Sequence, residues 1–274
     1  TFRNRLLTVA RKPAPIQLCG GGHIGTTGAD GVQYLISDQF HTPAGSDAFY
    51  SESLLRMPDG YVCYEPPDYA PAVTILPARD RGYVTFGCYN NIWKITPQVV
   101  DLWAEILKKL PGSRIRLQTA ALAEGITRDR IHASFESHGI RSSRVDLVGP
   151  EGHPVLLGNY GLIDIALDPF PYSGGLTTCE ALWMGVPVIT LSGETFTGRH
   201  STSHLSNVGL KEFITESKEE YVSVSCNLAR DLYHLETIRG TLRNRMAASP
   251  LCDSVGYTRN LETAYRELWR EWCK

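Results

Sequence analysis

Two short stretches bring together residue types suited to holding a phosphorylated ligand. The first is DPFPYSGGLTTCEAL, residues 168–182. Gly174 and Gly175 leave room for a ligand to approach the backbone, and Thr177 and Thr178 stand where a helix begins. The unpaired N–H groups and positive dipole of a helix start attract anions. The threonine hydroxyls can either cap the helix or bond a phosphate oxygen. Glu180, about one turn further in, is poorly placed for phosphate but suited to accept hydrogen bonds from ribose hydroxyls. The second stretch is FGCYNNIWKI, residues 86–95. Asn90 and Asn91 supply amides, and Lys94 supplies a cation able to neutralise a phosphate leaving group.

The elements around these stretches must place them side by side. Residues 163–168 read as a buried strand leading into the glycine turn, and residues 83–86 as a strand leading into the asparagine–lysine segment. Thr96 is an N-cap with Pro97 at the first helical position, and Val99, Trp103, Ile106 and Leu110 share one face of a helix over 96–110. Strands at 114–118 and 145–148 alternate with a helix at 127–137. Further helices follow near 199–207, between 217 and 247, and over 257–272, the last with Leu261, Tyr265, Leu268 and Trp272 on one stripe. Such alternation predicts an α/β fold with a parallel sheet covered on both faces. Ligands then bind beyond the carboxyl ends of the strands, where both stretches fall.

The first eighty residues are different. Residues 14–19 and 32–38 read as strands, 49–56 as a helical turn and 60–64 as a short strand. Between the first two strands lies GGGHIGTTG, residues 20–28, a glycine-rich ligand loop without the spacing of a nucleotide fingerprint. Prolines 66, 67, 71 and 77 mark a connector. The part before it is too short for a complete α/β domain. The expected division is residues 1–80 as the end of a first domain, 81–250 as a nucleotide-binding domain, and 251–274 as a helix packing across both.

Composition narrows the function classes. The formal net charge of −2 offers no basic footprint for nucleic acid. No run approaches the roughly 18 apolar residues of a membrane span, and the basic first residues lack a signal peptide's apolar core. Seven cysteines at irregular spacing suggest reduced thiols and a cytoplasmic protein. His200 and His204 are spaced to share a helical face, but no further ligand stands near them in sequence, so no metal site is expected.

ARKPAPIQ, GTTG, FGCYNNIWKITP and DPFPYSGGLTTCEALWMGVPVITLSGETFTGRHSTSHLSNVGL, taken in order, resemble the C-terminal catalytic region of the O-GlcNAc transferase family, most of all its bacterial members. The resemblance implies a GT-B fold, in which two Rossmann-like domains hold a UDP-sugar in the cleft between them, the first domain being partial here. It implies metal-independent, inverting transfer of N-acetylglucosamine or a related sugar to protein Ser or Thr hydroxyls, no cofactor, and a tetratricopeptide-repeat region upstream. By position it puts the uridine-diphosphate lysine at Lys94, its neighbouring amide at Asn91, the phosphate threonine at Thr177 and the ribose carboxylate at Glu180. The acceptor-side loop falls on residues 20–28, with Gly22 at a donor-contact glycine. Three departures stand out. Gly175 and Leu176 occupy places where the family often has His-Thr, the loop of residues 149–156 that should border the uracil matches poorly, and the family's N-terminal-domain histidines fall before Thr1. His23 is a substitute base to weigh. The alternatives are another GT-B enzyme acting on glycans or lipids, a UDP-sugar epimerase, or a non-catalytic nucleotide-sugar-binding module.

Overall fold

The computed structural model describes residues 5–21 and 25–274. After a single helical turn, α1 (Leu6–Val9), strands β1 (Leu18–Cys19), β2 (Tyr34–Asp38) and β3 (Ser53–Met57) form a small parallel sheet in that order. A short helix, α2 (Pro77–Arg81), opens the larger unit. There follow β4 (Thr85–Cys88), α3 (Pro97–Lys109), β5 (Arg114–Gln118), α4 (Gly125–Ser137), β6 (Val145–Val148), α5 (His153–Asn159) and β7 (Ile165–Leu167). Then come α6 (Leu176–Trp183), β8 (Val188–Leu191), α7 (His200–Val208), β9 (Ile214–Thr215), α8 (Lys218–Arg230), α9 (Leu232–Ala247) and α10 (Ser254–Trp272).

The larger sheet is parallel throughout, in the order β6-β5-β4-β7-β8-β9. The chain therefore runs outward from β4 to β6, returns, and runs outward the other way from β7. Doubly wound sheets bind ligands where this reversal opens a crevice at the strand carboxyl ends. Here it opens between β4 and β7. The asparagine–lysine segment follows β4 and the glycine turn follows β7, so sheet order alone makes them neighbours. β4 and β7 are buried along their whole length, as central strands covered on both faces must be.

The capping prediction at α3 holds, since the Thr96 side chain accepts from the Val99 N–H. Val99, Trp103 and Ile106 are fully buried beneath it. Three local expectations fail. Residues 49–56 are not a helical turn: one 3₁₀ turn, Ser46–Phe49, leads into β3. Arg56 folds back onto Asp47 and the Thr42 carbonyl, and the backbone pairs with β2 in register. Residues 60–64 are not a strand either, because their donors are taken elsewhere. The Tyr61 N–H goes to the Asp38 carboxylate and the Tyr64 N–H to the Leu251 carbonyl. The segment 149–156, expected as loop, contains the start of α5 with Pro154 in its first turn. On the α10 stripe, Leu268 is buried while Tyr265 and Trp272 remain exposed. Among the described residues no helix is long and apolar enough to cross a membrane.

α7 joins the two sheets. Its Ser203 hydroxyl donates to Asp38 at the end of β2 at 2.5 Å, and its Ser201 hydroxyl donates to the Gly174 carbonyl at 3.0 Å. This polar helix is thus buried but hydrogen-bonded on both sides, which is the condition for such burial to be tolerated.

Candidate functional site

The turn after β7 is set by one buried carboxylate. Asp168 Oδ1 accepts from the Gly174 N–H at 2.6 Å, and Oδ2 accepts from the Thr190 hydroxyl on β8 at 2.7 Å. Burial raises the Asp168 pKa, and these hydrogen bonds together with the nearby Lys94 charge oppose the rise. Gly174 is required here: a Cβ would collide with the Thr178 hydroxyl and come within 2.9 Å of Asp168 Oδ1. Gly175 faces open space, where a Cβ would meet nothing within 4 Å. The N–H groups of Leu176 and Thr177, at the start of α6, meet no acceptor among the described residues.

Lys94 comes to this turn from the β4 side. Its Nζ donates to the Ser173 carbonyl at 2.8 Å and to Asn90 Oδ1 at 3.2 Å, and lies 4.0 Å from the centroid of the Tyr172 ring. It forms no ion pair with a carboxylate among the described residues. Burial lowers its pKa from the ordinary lysine value, and the Asp168 charge partly restores it. A half-buried cation held by neutral oxygens leaves a positive potential for an anion to neutralise. Asn90 Oδ1 also accepts from the Thr177 hydroxyl at 3.0 Å, so one amide aligns Lys94 with the helix start. Asn91 is exposed and caps the following 3₁₀ turn by accepting from the Trp93 N–H at 3.1 Å.

Lys94, Asn90, Asn91, Gly175 and Thr177 line a cleft of about 490 Å³ together with Gly21, Tyr61 and Tyr64. That volume lies within the usual range for small-ligand sites, about 300–1,000 Å³. Thr178 does not face it. Its side chain is buried, and its hydroxyl lies 2.8 Å from that of Ser201, tying α6 to α7. Gly22 and His23 lie outside the described residues.

Glu180 sits one turn along α6 and is buried, with Oε1 2.8 Å from His153 Nε2. His153 Nδ1 is in turn 2.7 Å from the Tyr69 hydroxyl. Burial raises the Glu180 pKa and the His153 contact opposes it. Sequence reasoning misses His153 because its stretch reads as loop. The signal is Gly152-His153-Pro154, a helix start that follows β6 at the carboxyl edge of the same sheet. Sequence reasoning also places Asn90 behind Asn91, because a hydrogen bond to Thr177 87 residues away leaves no local trace.

The same cleft is lined by His200 and His204, four residues apart on α7 as their spacing predicts. Tyr61 lies beside them: its hydroxyl is 2.6 Å from His200 Nδ1, and its ring stacks on His204 with centroids 5.8 Å apart. His41 stacks on the same tyrosine at 4.0 Å. Burial pushes these histidines down to about 2 for His41, about 3 for His204 and about 4 for His200. All three are neutral in the folded protein at pH 7. Unfolded histidines bind protons below about 6.5, so folding loses stability as pH falls from there, by up to about 1.4 kcal/mol per pH unit for each. The buried carboxylates Asp38, Asp164, Asp168 and Glu180 have raised pKa values and act in the opposite sense. Removing one of these histidines removes its share of the acid-side loss, so His204→Leu is expected to lose less Tm than wild type, or gain more, between pH 7 and pH 5. An identical change in Tm for variant and wild type would show that His204 does not contribute to it.

Comparison with known proteins agrees with the geometry. The family model "Glycosyl transferase family 41" matches residues 75–261. Proteins named "Probable UDP-N-acetylglucosamine--peptide N-acetylglucosaminyltransferase SPINDLY" from Petunia hybrida and Arabidopsis thaliana are both 40% identical over all of this chain, which spans 29% and 30% of their lengths. A lysine-to-methionine mutant of the Thermobaculum terrenum O-GlcNAc transferase superposes with a TM-score of 0.91 at 40% identity, over 98% of this chain and 51% of that one. A sucrose-phosphate synthase from Thermosynechococcus elongatus, at 16% identity and a TM-score of 0.57, covers 88% of this chain and 59% of its own, and shares the fold alone. With its crevice between β4 and β7, its parallel sheets of GT-B type and a family match over most of its length, the chain belongs to glycosyl transferase family 41.

Proposed function

We propose that this chain carries the donor site of a glycosyltransferase that moves N-acetylglucosamine from UDP to a Ser or Thr hydroxyl of a peptide, with inversion. The observation that carries this reading is Lys94, a half-buried cation without a carboxylate partner among the described residues, aligned with the α6 start by Asn90. The acceptor oxygen attacks the anomeric carbon from the face opposite the leaving group. The bond from that carbon to the β-phosphate oxygen breaks, its electron pair stays on the departing UDP, and the acceptor proton passes to a base. Lys94 and the N–H groups of Leu176 and Thr177 meet the charge that grows on the diphosphate. Such pre-aimed donors stabilise a transition state because they need no reorganisation. Glu180, held by His153, accepts from the ribose hydroxyls, and Gly22 and Asn91 complete the donor contacts.

On this reading, residues 1–80 belong to the acceptor-side unit, 81–250 to the donor unit, and 251–274 to a helix shared between them. The enzyme works in the cytoplasm beside a tetratricopeptide-repeat region. Lys94 and the helix start supply the charge a divalent cation would otherwise provide, so turnover should persist in a chelator.

Calorimetry with UDP tests the site. Wild-type protein is expected to bind, and Glu180→Ala to weaken binding about tenfold, the worth of a charged hydrogen bond lost on the ribose. A wild type that does not bind UDP would remove the donor-site reading. UDP binding without transfer or donor hydrolysis would instead favour a nucleotide-sugar-binding module, which Gly175 and Leu176 in place of His-Thr would suit.

A further inference from the structure

The cleft has a polar group that the diphosphate and ribose contacts leave unused. His200 begins α7, the buried helix that joins the two sheets, and it lines the same cleft as Lys94. Its ring is held from several sides. Tyr61 bonds Nδ1 at 2.6 Å, the His41 ring lies 4.8 Å away, and the Phe196 ring is perpendicular to it at 5.7 Å. The Tyr61 hydroxyl has no other acceptor among the described residues, so it donates to Nδ1. The imidazole proton then sits on Nε2. Nε2 meets no partner among the described residues, and the cleft is the space left to it.

The groups that share the cleft with His200 say what it faces. Lys94 lies over one face of Tyr172, and the Tyr172 ring is 5.9 Å from that of His200. The cation, the Asn90 amide and the helix start are hydrogen-bonded together and form a charged end, and the neutral imidazole, packed among the rings of Tyr61, His41, Phe196 and Tyr172, forms a neutral one. The charged end suits the diphosphate. The neutral end suits a hydroxyl-bearing ring without charge, because burial and the Lys94 charge both hold His200 unprotonated.

We propose that His200 binds the transferred sugar of the donor, its Nε2–H donating to a sugar oxygen, with Tyr61 fixing the ring and tautomer. This rests on the nucleotide-sugar reading of the cleft. His200 is a donor-binding residue, and Tyr61 is a positioning residue acting through it. An imidazole this hard to protonate is a weak base, so its contribution is to sugar selection and placement rather than to taking the acceptor proton.

The test compares UDP with UDP-N-acetylglucosamine by calorimetry on the intact protein. His200→Asn keeps an amide near the Nδ1 position and loses the group facing the cleft, whereas His200→Gln places an amide near the Nε2 position. For His200→Asn the UDP affinity is expected to stay within about twofold of wild type while that for UDP-N-acetylglucosamine falls about five- to tenfold. His200→Gln is expected to recover part of the difference, which a purely structural role would not do. The retained UDP affinity also reports that the variants are folded. An unchanged ratio of the two affinities in His200→Asn overturns the assignment, and so does an equal loss of both ligands. Wild-type protein that binds neither ligand overturns the donor-site reading and this assignment with it, whereas wild-type binding with an unmoved ratio overturns the His200 assignment alone.

Discussion

Replacing Lys94 by methionine is expected to lower kcat about 100- to 1,000-fold, the usual cost of removing one pre-aimed group that stabilises a developing negative charge. Methionine keeps much of the apolar stem and deletes the charge that lies over the Tyr172 ring, with its two hydrogen bonds. The free protein should tolerate the change. Lys94 is half-buried, its hydrogen bonds go to two neutral oxygens, and burial already disfavours its charged form. Taking a desolvated cation out of such a place relieves a cost as well as removing contacts. The Tm should therefore move by no more than about 2–4 °C, equivalent to about 1 kcal/mol for a protein of this size. The pH profile gives a second reading. A lysine whose pKa is lowered loses its proton earlier on the alkaline side, so wild-type activity should decline at lower pH than an ordinary lysine would dictate. A methionine variant with activity within about threefold of wild type would exclude Lys94 from leaving-group stabilisation, since one lost charge contact is worth more than that.

That prediction is within reach of the sequence because its parts are local. Lys94 precedes a Thr-Pro helix start, and the glycine turn precedes α6; each can be read within a dozen residues. The alternation of strands and helices also places both at the carboxyl edge of a parallel sheet. What the sequence does not contain is strand order. Only the order β6-β5-β4-β7-β8-β9 makes β4 and β7 adjacent and turns two separate loops into one crevice. The same limit accounts for the misplaced residues. Thr178 reads as a ligand group because it follows Thr177, yet the helix turns it inward onto Ser201, on an element 23 residues later. Residues 60–64 look like a strand because Tyr61, Val62 and Tyr64 are β-formers. Their backbone is instead committed to Asp38 and Leu251, and no local propensity reveals such partners. His153 and His200 are invisible as site residues for the same reason: their roles come from Glu180 and Tyr61, which are distant in the chain.

Arg239 extends this to stability, and its removal is expected to be among the most damaging changes to the fold. It is 2% exposed, on α9, and its guanidinium donates to the Thr74 carbonyl at 2.9 Å, the Thr74 hydroxyl at 2.8 Å, the Ile163 carbonyl at 3.0 Å and the Tyr160 carbonyl at 3.3 Å. Burial lowers its pKa to about 10, so it stays charged at neutral pH. One planar fork thus pins the connector at Thr74 to the chain entering β7. Arg239→Met leaves the Thr74 and Ile163 carbonyls without that donor, at about 1–3 kcal/mol for each buried acceptor, partly offset because a guanidinium no longer has to be desolvated. The net loss is expected to be about 3 kcal/mol, or roughly 6–12 °C in Tm. Arg239→Lys should recover little, because an ammonium cannot span three carbonyls arranged for a fork. A methionine variant that loses less than about 1 kcal/mol in denaturant titrations would mean that water or a repacked side chain replaces the fork. UDP affinity in that variant should fall far less than stability does. Arg239 acts at the amino end of β7, whereas the crevice lies beyond its carboxyl end, where Asp168, Asn90 and Lys94 hold the turn through contacts that do not involve α9.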